Sequence, residues 1–445
     1  MLEVGTVHRK NTKNILVKNI FDAAIGALMW WGVGASLAGA GGDEFVQDGE
    51  NGFAGDHAFF LQNSTASKTG YAKASWFFGW TFAAAGATIV SGAVAERCSF
   101  VGYISYSIVL TGFIYPPVVH MMWSPAGKMA AWRSASTDDD GHGAGRLFGD
   151  CGVIDFAGSG TVHLVGGVAA LVACAIVGPR QGRFASDPKF QTPAGNPVLQ
   201  SLGVLILWMG WYGFNCCSTL YIAGFAQSAA HVAMTTTIAA ATGCLSTTLL
   251  GYAITHQIET NNVNNGVLAG LVAITSPCAV CSPAGAFIIG CLAAPAYMGG
   301  HYLMLFLQID DVVDAIAVHG FCGFLGVICA GCFATPYYYS VSYYGDRKED
   351  CAGLFYGGKA SGSFASAWVA CGIIISWVGT TMAILFGVLK ALNLHRVTPE
   401  VEEAGMDDSK HGGRIPDYVE ANPVAVAQPS KVGIDTTVGP GEAEA

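Results

Sequence analysis

The sequence predicts an all-α, polytopic membrane bundle of about ten spans, built as inverted five-helix repeats. Three observations predict it. Only 12% of the 445 residues are charged against 52% hydrophobic, whereas a soluble domain carries about a quarter charged residues. The apolar residues gather into ten continuous runs near the length of about 20 that crosses a bilayer. Two of those runs share a histidine-containing pattern yet run in opposite directions through the membrane. The composition excludes a soluble enzyme of this size and disorder over most of the length. The acid excess, 31 Asp plus Glu against 21 Lys plus Arg, leaves no basic patch, so no nucleic-acid partner is expected. The lipid bilayer is the expected partner.

The predicted spans are 19–40, 74–95, 100–122, 152–178, 197–216, 227–254, 265–282, 284–306, 312–334 and 364–393. No Lys or Arg lies in the interior of any. Trp30, Trp31, Trp76, Trp80 and Trp123 fall toward span ends, as interfacial aromatics do. The runs are continuous rather than alternating, which excludes a β-barrel. Gly86, Gly92, Gly166, Gly167, Gly323 and Gly326 are predicted to let helix backbones approach closely.

Arg9, Lys10, Lys13 and Lys18 precede the first span and predict a cytoplasmic start. Ten spans then return the C-terminus to the cytoplasm. Arg180, Arg183 and Lys189 share that side, while the acidic loops 41–73 and 123–151 fall outside. The loop 335–363, with Arg347, Lys348 and Lys359, breaks the charge rule. The charged start does not read as a cleavable signal peptide. Residues 1–394 form the membrane domain in this reading. A charged cytoplasmic tail follows over 395–420, with Thr398 as N-cap and Pro399 at the first helical position. Residues 421–445, rich in Pro, Gly, Ala and Val, are expected to be disordered.

Most of the 14 cysteines lie in spans, where Cys behaves as a small apolar residue. Cys278-x-x-Cys281 and Cys329-x-x-Cys332 have a metal-like spacing without a second ligand pair, so no metal or cofactor is expected. Cys151 and Cys351 both fall in outside loops, where a disulfide and two free thiols are both open.

The repeat pairs Asp155-Phe-Ala-Gly-Ser-Gly-Thr-Val-His163 with Asp314-Ala-Ile-Ala-Val-His319. Aligned on the histidines, the preceding Val and a Gly four residues later coincide. These are the fourth and ninth spans, five apart, so they run antiparallel. A two-fold axis in the membrane plane brings such histidines together near the midplane. Neutral imidazole carries one donor and one acceptor, so a pair shares a hydrogen bond without net charge. It also offers nitrogens to a small polar molecule or a proton. The competing reading is two core histidines that satisfy each other. Asp155 lies eight residues before His163, about 12 Å along a helix, too far to touch it. It either caps free N–H groups around Ala157 to Gly160 or attracts a cation, and Asp314 carries the same two readings.

These residues resemble the signature of the ammonium transporter (Amt/Mep/Rh) family, most closely its plant-type members. Glu96-Arg97, Tyr115-Pro-Pro, His120-Met-Met-Trp123, Trp208-x-Gly-Trp211-Tyr-Gly-Phe214-Asn215 and His319-Gly-x-x-Gly323 follow in the family's order. So do Asp56-His-Ala-Phe-Phe-Leu-Gln and Met406-Asp-Asp-Ser409-Lys-His-Gly-Gly413. The resemblance covers about residues 1–413 and implies a homotrimer with one pore per protomer. It implies an outer recruitment site for ammonium at Trp123, Phe82, Trp211 and Ser218, and a phenyl gate of Phe82 on Phe214. It implies twin pore histidines at His163 and His319, and an acid near the ammonium mouth at Asp155, with Asp314 in the matching stretch. Family members have eleven spans, and Met1 to Asn11 align with the end of the first helix and its loop, so a truncated first helix is expected.

The function implied is transport of ammonium or ammonia, not an enzymatic reaction, in a plasma membrane. Aromatic faces attract a cation by about 0.5–2 kcal/mol, and an apolar neck penalises any intact ion. Potassium cannot shed its charge, whereas ammonium can leave a proton and pass as ammonia. Phosphate on Ser409 would add about −1.5 to −2 charges beside Asp407 and Asp408 and undock the tail from a neighbouring protomer. The alternative functions are an ammonium sensor with little transport and an intramembrane metalloenzyme. The second lacks a paired ligand motif on one helix.

Overall fold

The computed structural model describes residues 1–39, 51–56, 59–62, 70–132, 151–185, 195–221, 223–343 and 345–413. The stretch 421–445, expected to be disordered, lies outside the described residues, as do Asp43, Glu44, Asp138, Asp139, Asp140 and Lys189. Ten long helices carry the described bundle. They are α1 Arg9–Ala38, α2 Gly70–Ala93, α3 Phe100–Trp123, α4 Ser159–Val177 and α5 Pro197–Thr219. After them come α6 Ala226–Thr255, α7 Thr260–Thr275, α8 Pro283–Phe306, α9 Ile316–Phe333 and α10 Ala360–Ala391. Each overlaps one predicted span. Eight are long and apolar enough to cross a membrane. Of the others, α2 is diluted by Gly, Ser and Thr, and α7 has 16 residues. The described residues hold isolated β-bridges but no β-strand.

Local chemistry fixes where these helices begin. Ser99, Asn196 and Ser282 each accept hydrogen bonds from the first-turn amides of α3, α5 and α8. Pro197 and Pro283 occupy first helical positions, where the missing N–H costs nothing. A one-turn helix, Leu2–Thr6, packs against the start of α5, where Asn196 N–H donates to the Gly5 carbonyl at 2.9 Å.

Two predictions about the first span need correction. The helix begins at Arg9, so it contains Lys18, which is 1% exposed. Its Nζ donates to the Cys98 carbonyl at 3.1 Å and lies over the Tyr103 ring. Trp30 is not interfacial: it is fully buried, and its indole donates to the Trp76 carbonyl at 3.0 Å. Trp31, by contrast, is 44% exposed.

The close helix approach is real at Gly167 and Gly323. A Cβ on Gly167 would overlap the Gly320 backbone, and one on Gly323 would lie 2.7 Å from the Ser159 carbonyl. So α4 and α9 cross backbone to backbone, which positions the two histidines. Gly86 has no such neighbour; the nearest atom to its Cβ position is 3.8 Å away on Tyr115.

At the end of the bundle predicted to face outward, Cys151 and Cys351 form a disulfide across 200 residues. At the opposite end a buried ion cluster ties loops together. Arg180 pairs with Asp310 at 2.8 Å and Glu96 at 3.0 Å. Burial alone would raise the Asp310 carboxyl, but Arg180's hydrogen bonds and charge outweigh it and hold the group well below the usual carboxylate range.

The tail packs on the same end. Pro399–Ala404 and Met406–Lys410 are short helices. Thr398 stands at the N-cap position without a side-chain capping bond. Asp407 is fully buried and accepts from the amides of Lys13 and Asn14 at 2.9 and 2.8 Å. It therefore caps the α-helical part of α1, which begins at Thr12. Ser409 is exposed, and its hydroxyl donates to the Gly405 carbonyl at 2.9 Å.

Candidate functional site

The site is a column of rings running toward the middle of the bundle from the end that carries the Cys151–Cys351 disulfide, the end predicted to face outward and called outer below. At its top, a cavity of about 380 Å³ is lined by Phe78, Phe82, Trp123, Ser218, Tyr71 and Tyr221 among others. Phe82, on α2, packs edge-on to Trp123 of α3 with centroids 5.7 Å apart. Below them Phe82 stacks on Phe214 of α5 at 4.0 Å. The next ring is His163, 5.4 Å from Phe214 and 5.1 Å from His319. The two histidines approach through Nδ1 atoms 3.2 Å apart.

Elementary valence fixes what this pair can do. One Nδ1 donates and the other accepts, so one Nε2 is left as acceptor and the other as donor. The Nε2 of His163 is buried and has no hydrogen-bond partner. An unmade bond at a buried nitrogen costs about 1–3 kcal/mol. Such an atom is matched to a small polar molecule carrying N–H groups or a lone pair.

The sequence predicted Trp211 at the outer site, and here the geometry differs. Trp211 does not line the outer cavity; its indole stacks on His163 at 5.2 Å and donates to Thr275 Oγ1 at 2.9 Å. It lies seven residues before Ser218 on one helix, about 10 Å along the axis, which carries it below the phenyl pair. Phe78 was missed by the sequence reading. It packs on Phe82 at 4.4 Å and lines the outer cavity. The signal was present, since residues four apart share a helix face. Ser218 Oγ donates to the Phe214 carbonyl at 2.8 Å, which leaves its lone pairs as acceptors.

Asp155 is 3% exposed and its carboxylate is crowded with donors. It accepts from the Gly160 amide, the Thr161 amide and hydroxyl, and the Ser276 hydroxyl at 2.7–3.3 Å. Its own carbonyl accepts from the Trp123 indole at 2.7 Å. These bonds match the capping alternative, at Gly160 within the predicted range and at Thr161 one residue beyond it.

The second half does the same job with a different residue. Asp311, not Asp314, lies eight residues before His319. Its carboxylate accepts from the Ile316 amide at 2.6 Å and the Val313 amide at 3.3 Å. The sequence repeat predicts that role for Asp314, the aspartate nearest His319, whereas the matching distance from the histidine belongs to Asp311. Asp314 instead matches Gly158: each lies five residues before its histidine, and both have left-handed backbones, with φ of 58° and 106°. Both histidines follow on a single π-helical segment, Ser159–Leu164 and Ile316–Phe321. For a non-glycine residue the left-handed region costs about 1–2 kcal/mol.

Two antiparallel segments with this internal match, beneath an aromatic cavity, set the chain against known transporters. Residues 1–415 match the model of the Ammonium Transporter Family. The chain belongs to that family. Ammonium transporter 1 member 2 of Oryza sativa subsp. japonica is 41% identical over 423 residues, 92% of this chain and 80% of that protein. Ammonium transporter 1 member 2 of Arabidopsis thaliana is 40% identical over 421 residues, 92% of this chain and 78% of that protein. Among solved structures, the Sensor Amt Protein aligns with a TM-score of 0.76 at 28% identity, covering 92% of each chain. Saccharomyces cerevisiae Mep2 aligns with a TM-score of 0.74 at 23% identity, covering 90% of this chain and 84% of that one. The family is one of membrane transporters rather than enzymes, and the chain is an integral, multi-pass membrane protein.

Proposed function

We propose that the chain moves ammonium across the membrane by recruiting the cation at the outer aromatic cavity, removing a proton, and conducting ammonia past the twin histidines. Trp123, Phe78 and Phe82 supply ring faces for the cation, and Ser218 supplies an oxygen for one of its N–H groups. The Phe82–Phe214 stack closes the cavity from below. An intact ion meets only rings and apolar wall there and loses hydration it cannot replace. Ammonium escapes this penalty by leaving its proton, and ammonia then hydrogen-bonds along the imidazole edges. Asp155 serves by fixing the turn that carries His163, and its four donors leave little capacity for a cation.

The single observation that carries this reading is the buried, unpartnered Nε2 of His163 in a ring column continuous with the outer cavity. The test is ammonium-evoked current in proteoliposomes. His163→Ala together with His319→Ala is expected to abolish or uncouple the response. An unchanged response would falsify the pore assignment. The likeness to the Sensor Amt Protein supports a second reading, ammonium sensing with little transport. Saturable binding without current would favour it.

The same reading includes a homotrimer, a plasma-membrane location, a cytoplasmic C-terminus and the segments 1–394, 395–420 and 421–445 as units. Regulation at Ser409 belongs to it as well. A phosphate there would set negative charge two residues from Asp407, the cap of α1, and loosen the tail. Equal transport by Ser409→Asp and Ser409→Ala would remove that part of the proposal.

A further inference from the structure

The second histidine segment holds a strained backbone that the first avoids. At the left-handed position the first half has Gly158 and the second has Asp314. The Asp314 carbonyl accepts from the Val318 amide at 2.9 Å, next to His319, so the turn directs that ring. What keeps an aspartate there is a clamp on its carboxylate. Oδ2 accepts from Asn261, Asn265 and the Tyr297 hydroxyl at 3.0, 3.1 and 2.9 Å. Oδ1 is held by His301 Nδ1 at 2.8 Å. The donors come from α7 and α8, the helices against which the start of α9 packs. Of the four, only His301 can change charge near neutral pH. It is also the most accessible member of its pair, 27% against 15% for Asp314.

Resting on the transport reading above, we propose that His301 and Asp314 form a positioning dyad. It holds the left-handed turn that aims His319 into the pore and makes transport respond to pH on the inner side. His301 touches neither the pore rings nor the outer cavity, so it acts through Asp314. The other charges that act on it are Asp311, on the same turn, and Arg183, on the inner loop. Charged His301 makes a charge-assisted bond to the carboxylate, and neutral His301 makes a weaker one. The dyad is therefore firmest at low inner pH and relaxes as pH rises.

The test uses proteoliposomes of the full chain, with ammonium-evoked currents read at fixed outer pH and varied inner pH. His301→Ala is expected to lower the rate by at least about tenfold, as loss of a hydrogen bond to a charged group does. His301→Asn keeps a donor and cannot titrate, so it is expected to keep transport and lose the inner-pH dependence. Asp314→Gly recreates the solution of the first half. In that background His301→Ala is expected to add no further loss. Equal loss from His301→Ala in both backgrounds overturns the proposal, as does wild-type transport by His301→Ala itself. A folded but inactive Asp314→Gly also overturns it, because the carboxylate would then act in conduction. A pH dependence that survives His301→Asn and disappears in Asp311→Asn assigns the titration to Asp311 instead. If the double histidine variant abolishes current while His301→Ala does not, only the dyad fails. If the double variant conducts normally, the transport reading beneath it fails.

Discussion

Between Asp155 and His163 the chain turns through a glycine; between Asp311 and His319 it turns through an aspartate. Both routes deliver a left-handed residue five positions before a histidine and a π-helical turn around it. Both also place a capping carboxylate eight positions before the ring. The first half needs no support at the turn, since glycine visits that conformation freely. The second half requires a four-donor clamp from two other helices. An inverted repeat thus conserves backbone path more strictly than side chains. The half with the clamp gains a titratable control point that the glycine half lacks.

The largest expected effect attacks what the halves share. Gly167→Val puts a side chain into the Gly320 backbone at the crossing of α4 and α9. It is expected to cost more than about 4 kcal/mol and to leave little folded protein, measured as monodisperse yield in detergent. Normal yield and transport would mean that the crossing can open without disturbing the histidine pair.

A smaller effect separates the halves. Gly158→Ala forces a Cβ onto a residue with φ of 106° and within 3.0 Å of the Trp123 ring. It is expected to lower stability by about 1–2 kcal/mol and to weaken ammonium recruitment, because Trp123 must move. Thermal unfolding in detergent and the half-saturating ammonium concentration would read these two consequences. A Gly158→Ala variant as stable as the parent would break the comparison.

The smallest effect concerns the capping acids. Burial, and then the charge of Asp314, push the Asp311 carboxyl up to about 7. Its folded value lies above its unfolded value near 3.9, so the folded state prefers the protonated acid. The stability from that preference is fully present below about pH 4 and is lost as pH rises through about 7. Asp311→Asn is expected to flatten this slope of thermal stability against pH. An unaltered slope would mean that Asp311 is ionised throughout.

Most of the bundle was legible in the sequence because the bilayer imposes a length on every apolar run. All ten predicted spans overlap long helices. The boundaries failed where tertiary partners satisfy a polar group. Lys18 lies inside α1 because the Cys98 carbonyl reaches it. Trp30 is core because the Trp76 carbonyl takes its N–H. The histidine repeat was legible, and so was the candidate Phe82–Phe214 stack through family resemblance. Trp211 was expected at the outer cavity but stacks on His163, because membership of a motif does not give depth along the bundle. The disulfide stood open because two cysteines 200 residues apart meet only in the folded chain.

The sequence by itself determined an antiparallel pair of histidine helices in an apolar bundle, since hydropathy, helical rise and the parity of the spans are properties of the chain alone. Only the tertiary structure decided which aspartate caps and which is clamped. Hydrogen-bond partners contributed by α7 and α8 are set by packing, and no local pattern around Asp311 or Asp314 records them.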